Sequence, residues 1–283
     1  MPIEWLEPGL TLAEQVISAA AHYPALWQHV TREWREDDSA DKGWLTYSAN
    51  YLFSTGGLKW AIDPFSLSSR VSGVPVPDFS RDLQGLELVL LTHEHNDHLD
   101  LNLLRALRDQ PLTWVIPSFL QPRIAEKVNL PAERILTPQV GGSFHYKNLT
   151  ITAFDALHFN GKRGVPELGY LVEMKGKRWL FPGDTRNYDR TQLPEFGRLD
   201  AVFAHLWLGK ACALDAEPPL MDAFCNFYSG FDTNKLIVTH LYEFGREADD
   251  LWARKHFALV KAVLQQRSGL AVESALMGEQ VDL

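Results

Sequence analysis

The chain has 283 residues, of which 46% are hydrophobic and 11% aromatic, and its formal net charge is −9. This composition can bury a large core, which excludes a disordered chain and fits a single large α/β domain. The negative charge and the scattered Lys and Arg residues disfavour binding to nucleic acid. They do not exclude a small-molecule substrate, including an anionic one.

The compartment is indicated by the cysteines and the N-terminus. Cys212 and Cys225 show no paired-cysteine zinc pattern, so we expect two reduced thiols. The first residues lack the basic and then apolar order of a signal peptide, and no run reaches the roughly 18 apolar residues that a membrane span needs. We therefore expect a cytoplasmic protein without a transmembrane segment.

The N-terminal part contains one clear helix signal. Thr11 and Glu14 form a capping box, which predicts a helix that runs to about His22. Residues 35–43 are polar and indicate a loop. We interpret residues 1–43 as an N-terminal helical extension of one domain that spans residues 1–283. Its aromatic content would also suit a homo-oligomer interface.

The rest of the chain alternates short apolar runs with turns and amphipathic stretches, which is typical of an α/β protein. A hairpin turn is predicted at residues 175–177. Helices are predicted at 99–108, 219–228 and 246–266. Strands are predicted at 44–53, 58–62, 86–91, 113–116, 134–136, 149–154, 169–174, 178–181, 201–208 and 235–239.

A dense polar cluster follows the apolar run at 86–91. Residues 92–100 read THEHNDHLD and hold three histidines and three acidic residues. In an extended segment His93 and His95 point to the same side, and Asp97 and His98 follow in a turn. Imidazole and carboxylate are ligands that Zn²⁺ prefers. A solvated loop is the alternative, but the H-x-H-x-D-H spacing favours a metal site.

Three other strand ends carry side chains of the same kind: His158, Asp184 and His240. Taken singly, each histidine could be a hydrogen-bonded core residue and Asp184 a turn residue. Their common position after apolar strands favours ligands of the same site.

The order of these motifs, with Asp184 in a Gly-Asp-Thr turn, resembles the metallo-β-lactamase superfamily over about residues 44–266. The resemblance implies an αββα four-layer sandwich of two mixed β-sheets flanked by helices, with a dinuclear metal site. It implies two divalent ions, Zn²⁺ first, with Mn²⁺ or iron as alternatives. It assigns His93, His95 and His158 to one metal, Asp97, His98 and His240 to the other, and Asp184 to both.

The sequence around His98 and Asp184 is most similar to two branches of that family. These are the N-acyl phosphatidylethanolamine phospholipase D-type enzymes and the sugar-acid phosphate lactonases. The resemblance implies a hydrolase in which metal-bound hydroxide attacks a phosphodiester or related small ester, with Asp97 as a proton acceptor. Alternatives are a lactonase or thioesterase that uses the same site, and a non-hydrolytic metal-binding or redox protein.

Several further residues have two interpretations. His205 is a proton donor or substrate contact, or else a core histidine. Asp63, Thr92 and Asp100 are candidates to orient imidazoles, although Asp63 also suits a turn. Four basic residues could bind an anion, but solvated surface is the simpler interpretation for each: Lys162, Arg163, Arg186 and Lys210. Four histidines are interpreted as structural: His22, His29, His145 and His256.

Overall fold

The computed structural model describes residues 9–37, 41–159 and 163–283. The chain divides into two compact units, each built on a seven-stranded mixed sheet. The first unit contains residues up to 137 together with 276–282, and the second contains 138–275 together with 283. Among the described residues, no helix is long and apolar enough to cross a membrane.

The sheet of the first unit has the strand order β14-β1-β2-β3-β4-β5-β6. The pairs from β14 to β3 are antiparallel, and those from β3 to β6 are parallel. Its strands are β1 Lys42–Leu45, β2 Tyr51–Thr55, β3 Leu58–Ile62, β4 Leu88–Leu90, β5 Thr113–Val115, β6 Ile135–Leu136 and β14 Gln280–Asp282. Its α-helices are α1 Leu12–Glu36, α2 Phe79–Asp82, α3 Leu101–Leu107 and α4 Gln121–Lys127.

Helix α1 begins at the predicted capping box but is longer than predicted. It continues through Pro24 to Glu36, so the predicted end at His22 is wrong. The reason is tertiary packing: large apolar side chains on both sides of the proline recur along one face and are buried. They are Tyr23, Leu26, Trp27, Val30 and Trp34. At the far end, the Lys59 ammonium group donates to the carbonyl oxygens of Trp34 and Asp37.

The predicted strand 44–53 is two strands, β1 and β2, joined by a tight turn. The two strands pair antiparallel, with Leu45 opposite Tyr51. Asn50 explains the turn, because its side-chain oxygen accepts the backbone N–H groups of Ser48 and Ala49 at 3.1 and 3.3 Å. An asparagine that bonds nearby backbone groups is a common turn former.

The sheet of the second unit has the order β13-β12-β11-β10-β9-β8-β7. Its strands are β7 Ser143–Tyr146, β8 Leu149–Asp155, β9 Leu168–Met174, β10 Lys177–Phe181, β11 Ala201–His205, β12 Lys235–Thr239 and β13 Ala271–Ser274. Its α-helices are α5 Met221–Ser229 and α6 Arg254–Ser268. The hairpin turn between β9 and β10 is confirmed, and both cysteines are free and buried. Strands β7, β13 and β14 were not predicted.

Helix α6 begins at Arg254 rather than at the predicted residue 246. His256 sets this start, because its Nδ1 accepts the backbone N–H of Ala253 at 2.8 Å. Its Nε2 lies 2.6 Å from the carbonyl oxygen of Ala213, which ties the helix start to a distant loop. The structural role predicted for His256 agrees with these contacts. Burial also lowers the pKa of this imidazole, which favours the neutral ring that the two contacts require.

Strand direction brings the polar strand ends of each unit to one edge of its sheet. In the first unit β3 and β4 are parallel, so Asp63 and Thr92 follow neighbouring strand ends. In the second unit β8, β10, β11 and β12 all run the same way, since β9 is antiparallel to both β8 and β10. The side chains at or just after the ends of these strands therefore share an edge: His158, Asp184, His205 and His240.

Candidate metal centre

Four predicted ligands of the first unit lie in the loop after β4. The rings of His93 and His95 meet edge to face, with centroids 4.8 Å apart, and His98 lies 4.2 Å from His93. Nε2 of His98 is 3.6 Å from Oδ2 of Asp97. His93, Asp97 and His98 are buried and His95 is half-buried. We call these four residues and Asp63 the first cluster.

Asp63 holds two of these imidazoles in place. Its carboxylate accepts the backbone N–H of Thr92 at 2.8 Å and lies 2.8 Å from Nδ1 of His98. The Thr92 hydroxyl donates to the same carboxylate at 2.5 Å and is 2.9 Å from Nδ1 of His93. With Nδ1 engaged in this way, Nε2 is the atom of each ring that suits a cation. These are the orienting contacts predicted for Asp63 and Thr92.

Asn50, which was not among the predicted site residues, supports the first cluster through the backbone. Its side-chain amide donates to the carbonyl oxygens of Asp63 and Asp97, at 2.8 and 2.9 Å. The side chain is fully buried. One amide thus joins the β1–β2 turn to both acidic residues of the cluster. The prediction missed it because Asn50 was placed inside a continuous strand, and its partners lie 13 and 47 positions away in the chain.

Asp100 does not orient an imidazole as expected. One oxygen accepts the backbone N–H groups of Asn102 and Leu103, both at 3.1 Å, and so caps helix α3. The other accepts from the Ser69 hydroxyl at 2.7 Å and from the Ser66 N–H at 3.3 Å. Burial raises the pKa of this carboxyl, against the effect of these bonds. The residue therefore stabilises the first turn of α3, the helix that follows the loop with the predicted ligands.

Asp184 has the central position in the second unit. Its Oδ1 lies 2.8 Å from Nδ1 of His205 and 3.5 Å from Nε2 of His240. A ligand atom of His158 also lies within 4.8 Å of a carboxylate oxygen of Asp184. All four side chains are buried. We call these four residues and Glu167 the second cluster.

Glu167 is a buried carboxylate that the sequence analysis missed. Both of its oxygens lie 3.1 Å from the backbone nitrogen of Asp184, which donates to them. Its Oε2 is 3.3 Å from Nδ1 of His158. Gly183 makes room for it: the residue has φ +77°, and a Cβ there would lie 2.4 Å from Oε1 of Glu167. A glutamate before a strand shows no local pattern, so only the tertiary structure reveals this role.

Replacing Glu167 with glutamine is expected to weaken Zn²⁺ binding by about 10–100-fold, the usual effect of removing an outer partner of a metal ligand. It should also lower the free energy of unfolding by about 1–3 kcal/mol, because a buried donor loses a charged acceptor. The measurements are competition with a chromogenic chelator and urea unfolding. Glu173→Gln is the control, since Glu173 pairs with Arg178 at 2.8 Å on a partly exposed face. Equal Zn²⁺ affinity of both variants and the wild type would contradict the prediction.

Two histidines of the second cluster contact each other, and one of them also faces a further carboxylate. The rings of His205 and His240 stack in parallel, with centroids 5.7 Å apart and an interplanar angle of 6°. Oε2 of the buried Glu243 lies 3.6 Å from Nε2 of His240, and Glu243 also forms an ion pair with Arg246. His205 thus lies beside the ring of His240 and the carboxylate of Asp184, and its role as a proton donor stays a prediction.

The four basic residues differ in their surroundings. Lys210 and Arg163 are exposed, as expected, and Lys162 lies outside the described residues. Arg186 is not solvated surface: its side chain is only 15% exposed. Its guanidinium lies 4.4 Å from the ring centroid of Trp207, and its Nη2 is 3.7 Å from Oδ2 of Asp184.

The donors in both clusters suit a divalent cation. In the first unit, ligand atoms of Asp63, His93 and His98 lie within 4.8 Å of one another. In the second unit, Asp184 has this relation to His158 and to His240. Imidazole nitrogen and carboxylate oxygen are the atoms that Zn²⁺ and related metals take as ligands. Each cluster thus fits as a set of metal ligands by its chemistry and its burial.

Comparison with known proteins gives a consistent result. A family model described as a beta-lactamase superfamily domain matches residues 61–217, more than half of the chain. A UPF0173 metal-dependent hydrolase from Methanobrevibacter smithii is 30% identical over 231 residues, which cover 69% of this chain and 91% of that protein. The N-acyl-phosphatidylethanolamine-hydrolyzing phospholipase D 1 of Caenorhabditis elegans is 26% identical over 164 residues, or 50% of this chain and 46% of that protein.

The matches to other curated relatives are partial, whereas the structural similarity covers most of the chain. The first two curated relatives are matched over 63% and 64% of their own length. The solved structure of Igni18, a metallo hydrolase from the archaeon Ignicoccus hospitalis, superimposes with a TM-score of 0.63 at 16% identity. That match covers 87% of this chain and 99% of the other.

Proposed function

Since the chain belongs to the metallo-β-lactamase superfamily, we propose that it is a metal-dependent hydrolase that holds two divalent cations and cleaves a phosphodiester or a related small ester. The predicted fold class, two mixed sheets with flanking helices, is confirmed by the strand orders and the structural match. The observation that carries the proposal is the position of Asp184. An oxygen of this one buried carboxylate lies within 4.8 Å of a ring nitrogen of His158 and of one of His240.

The ligand assignment follows the order of the motifs in the family. His93, His95 and His158 would hold one cation, Asp97, His98 and His240 the other, and Asp184 both. The contacts inside each unit support parts of this assignment. His93 lies beside His95, Asp97 lies beside His98, and Asp184 is near both His158 and His240. Zn²⁺ is the first choice for a set of imidazole nitrogen and carboxylate oxygen ligands, with Mn²⁺ or iron as alternatives.

Divalent cations in such a site lower the pKa of water and polarise the substrate oxygen. The chain supplies the proton chemistry. Asp97, whose Oδ2 lies 3.6 Å from Nε2 of His98, would accept a proton from the attacking water. His205, whose Nδ1 lies 2.8 Å from Asp184, would donate a proton to the leaving oxygen. Asp63, Thr92 and Glu167 would keep the ligand rings in their orientation.

The preference for a phosphodiester is supported by the similarity to a phospholipase D-type enzyme. A carbonyl substrate would use the same groups, so the test compares both. The metal-loaded protein is assayed with bis-para-nitrophenyl phosphate, a thioester and a lactone, with added Zn²⁺ or Mn²⁺, and its metal content is measured. We expect turnover of the phosphodiester and about two metal ions per chain. Turnover of the carbonyl substrates alone would overturn the phosphodiester preference, and no turnover at full loading would overturn the hydrolase.

A further inference from the structure

Arg186 lies in the loop after β10, two residues beyond Asp184. The backbone holds it close to another proposed ligand, because the N–H groups of Arg186 and Asn187 both donate to the carbonyl oxygen of Leu157, at 2.8 and 3.0 Å. Leu157 directly precedes His158. The backbone of Arg186 is therefore fixed between two proposed metal ligands of the second cluster.

The side chain of Arg186 rests on a supported aromatic surface. Its guanidinium lies 4.4 Å from the ring centroid of Trp207. The carbonyl oxygen of Trp207 accepts the Tyr188 hydroxyl at 2.5 Å, and the ring of Tyr188 packs edge-on against Phe224 and Phe227. A guanidinium stacked on an indole keeps its in-plane N–H groups directed outward from the ring edge.

Those N–H groups have little to bind within the protein. Nη2 forms an ion pair with Oδ2 of Asp184 at 3.7 Å, which is beyond hydrogen-bond distance. In the part of the chain that the structure describes, the guanidinium makes no hydrogen bond to a protein group. Two other arginines of the unit differ: Arg190 stacks on Phe231 but donates to the carbonyl oxygen of Gly230, and Arg178 donates to Glu173.

The ion pair with Asp184 offsets part of the charge of Arg186, but N–H donors that are mostly buried and make no hydrogen bond are costly unless a ligand accepts from them. The planar fork of arginine fits the two oxygens of a carboxylate or phosphate group. The chain as a whole carries a net charge of −9 and would repel an anion, so an anionic substrate needs a local cation. We propose that Arg186 binds an oxyanion of the substrate, so that the substrate carries a phosphate or carboxylate group next to the bond that is cleaved.

This inference rests on the proposed function, since it places the substrate beside Asp184. It is tested on the metal-loaded protein with inorganic phosphate and acetate as probes and isothermal titration calorimetry as the readout. Arg186→Met is expected to weaken phosphate binding by about tenfold or more, the usual loss for a charge-assisted pair, with metal content unchanged. Arg186→Lys keeps the charge but not the planar fork, so its affinity for phosphate should lie between those of the wild type and Arg186→Met. Phosphate binding much tighter than acetate binding would identify the group as a phosphate, and the reverse as a carboxylate.

Arg190→Met is the matched control, because it removes an arginine that stacks on an aromatic ring in the same unit but is already bonded. Its affinity for phosphate should equal that of the wild type. Unchanged binding in both Arg186 variants would overturn the inference, and so would loss of metal from Arg186→Lys, since Arg186 would then act only through Asp184. A wild-type protein that binds phosphate through Arg186 but turns over no ester would support the anion site and overturn the proposed reaction.

Discussion

Replacing Asp184 with asparagine is expected to release bound metal and to lower hydrolysis by at least about a hundredfold, since removal of an outer partner alone costs up to that much. Oδ1 of Asp184 lies 2.8 Å from His205 and 3.5 Å from His240, and a ligand atom of His158 lies within 4.8 Å of the same carboxylate. Asparagine keeps the shape but has one acceptor oxygen and no charge, so it cannot serve two cations. The measurements are metal content after dialysis and turnover of bis-para-nitrophenyl phosphate.

Asp155→Asn is the control for this substitution. Asp155 ends β8 in the same unit and is exposed, so its replacement should change neither metal content nor turnover. Thermal unfolding of the two variants without metal separates a binding defect from a folding defect. An Asp184→Asn protein that keeps two metal ions per chain would contradict the assignment of Asp184 as a shared ligand.

The strands that the sequence predicted well are those with clear turn residues at their ends. Strand β3 was predicted with its correct bounds, because two glycines precede it and Asp63-Pro64 follows it. The apolar run of β12 was equally clear. The predicted end of helix α1 was too early. The helix continues past Pro24 because tertiary packing buries the apolar side chains beyond the proline. The edge strands β13 and β14 escaped prediction because their short segments have few buried residues.

The proposed ligands are easier to recognise in the sequence than the groups that contact them. His93, His95, Asp97 and His98 stand within six residues, and this density is visible in the sequence. Asn50 reaches Asp97 across 47 positions and Glu167 reaches Asp184 across 17, so no local pattern marks either supporting residue. For Asp100 the error is the opposite one: a role beside the imidazoles was predicted, and the structure does not show it. It lies beside the ligand loop in sequence, yet it bonds the first turn of α3.

The second large effect is expected for Asp63, the carboxylate that holds His98. Replacing it with asparagine should weaken Zn²⁺ binding by about 10–100-fold and lower the free energy of unfolding by about 2–4 kcal/mol. The residue is buried and accepts from Thr92 through both oxygens, while Oδ2 also faces Nδ1 of His98. Asparagine presents one oxygen and one NH₂ group, so a buried donor then faces another donor. Its backbone φ of +42° is tolerated by asparagine, so the loss comes from these contacts rather than from strain.

Asp100→Asn separates the two effects that Asp63→Asn combines. Asp100 is buried in the same unit and accepts four hydrogen bonds, but from serines and the start of α3. Its replacement should lower the free energy of unfolding by a similar amount and leave Zn²⁺ affinity within about twofold at a temperature where both variants are folded. Urea unfolding and chelator competition on the same samples give both quantities. If the two variants lose Zn²⁺ affinity equally, Asp63 acts only through stability; if Asp63→Asn alone loses affinity, its carboxylate sets the orientation of His98.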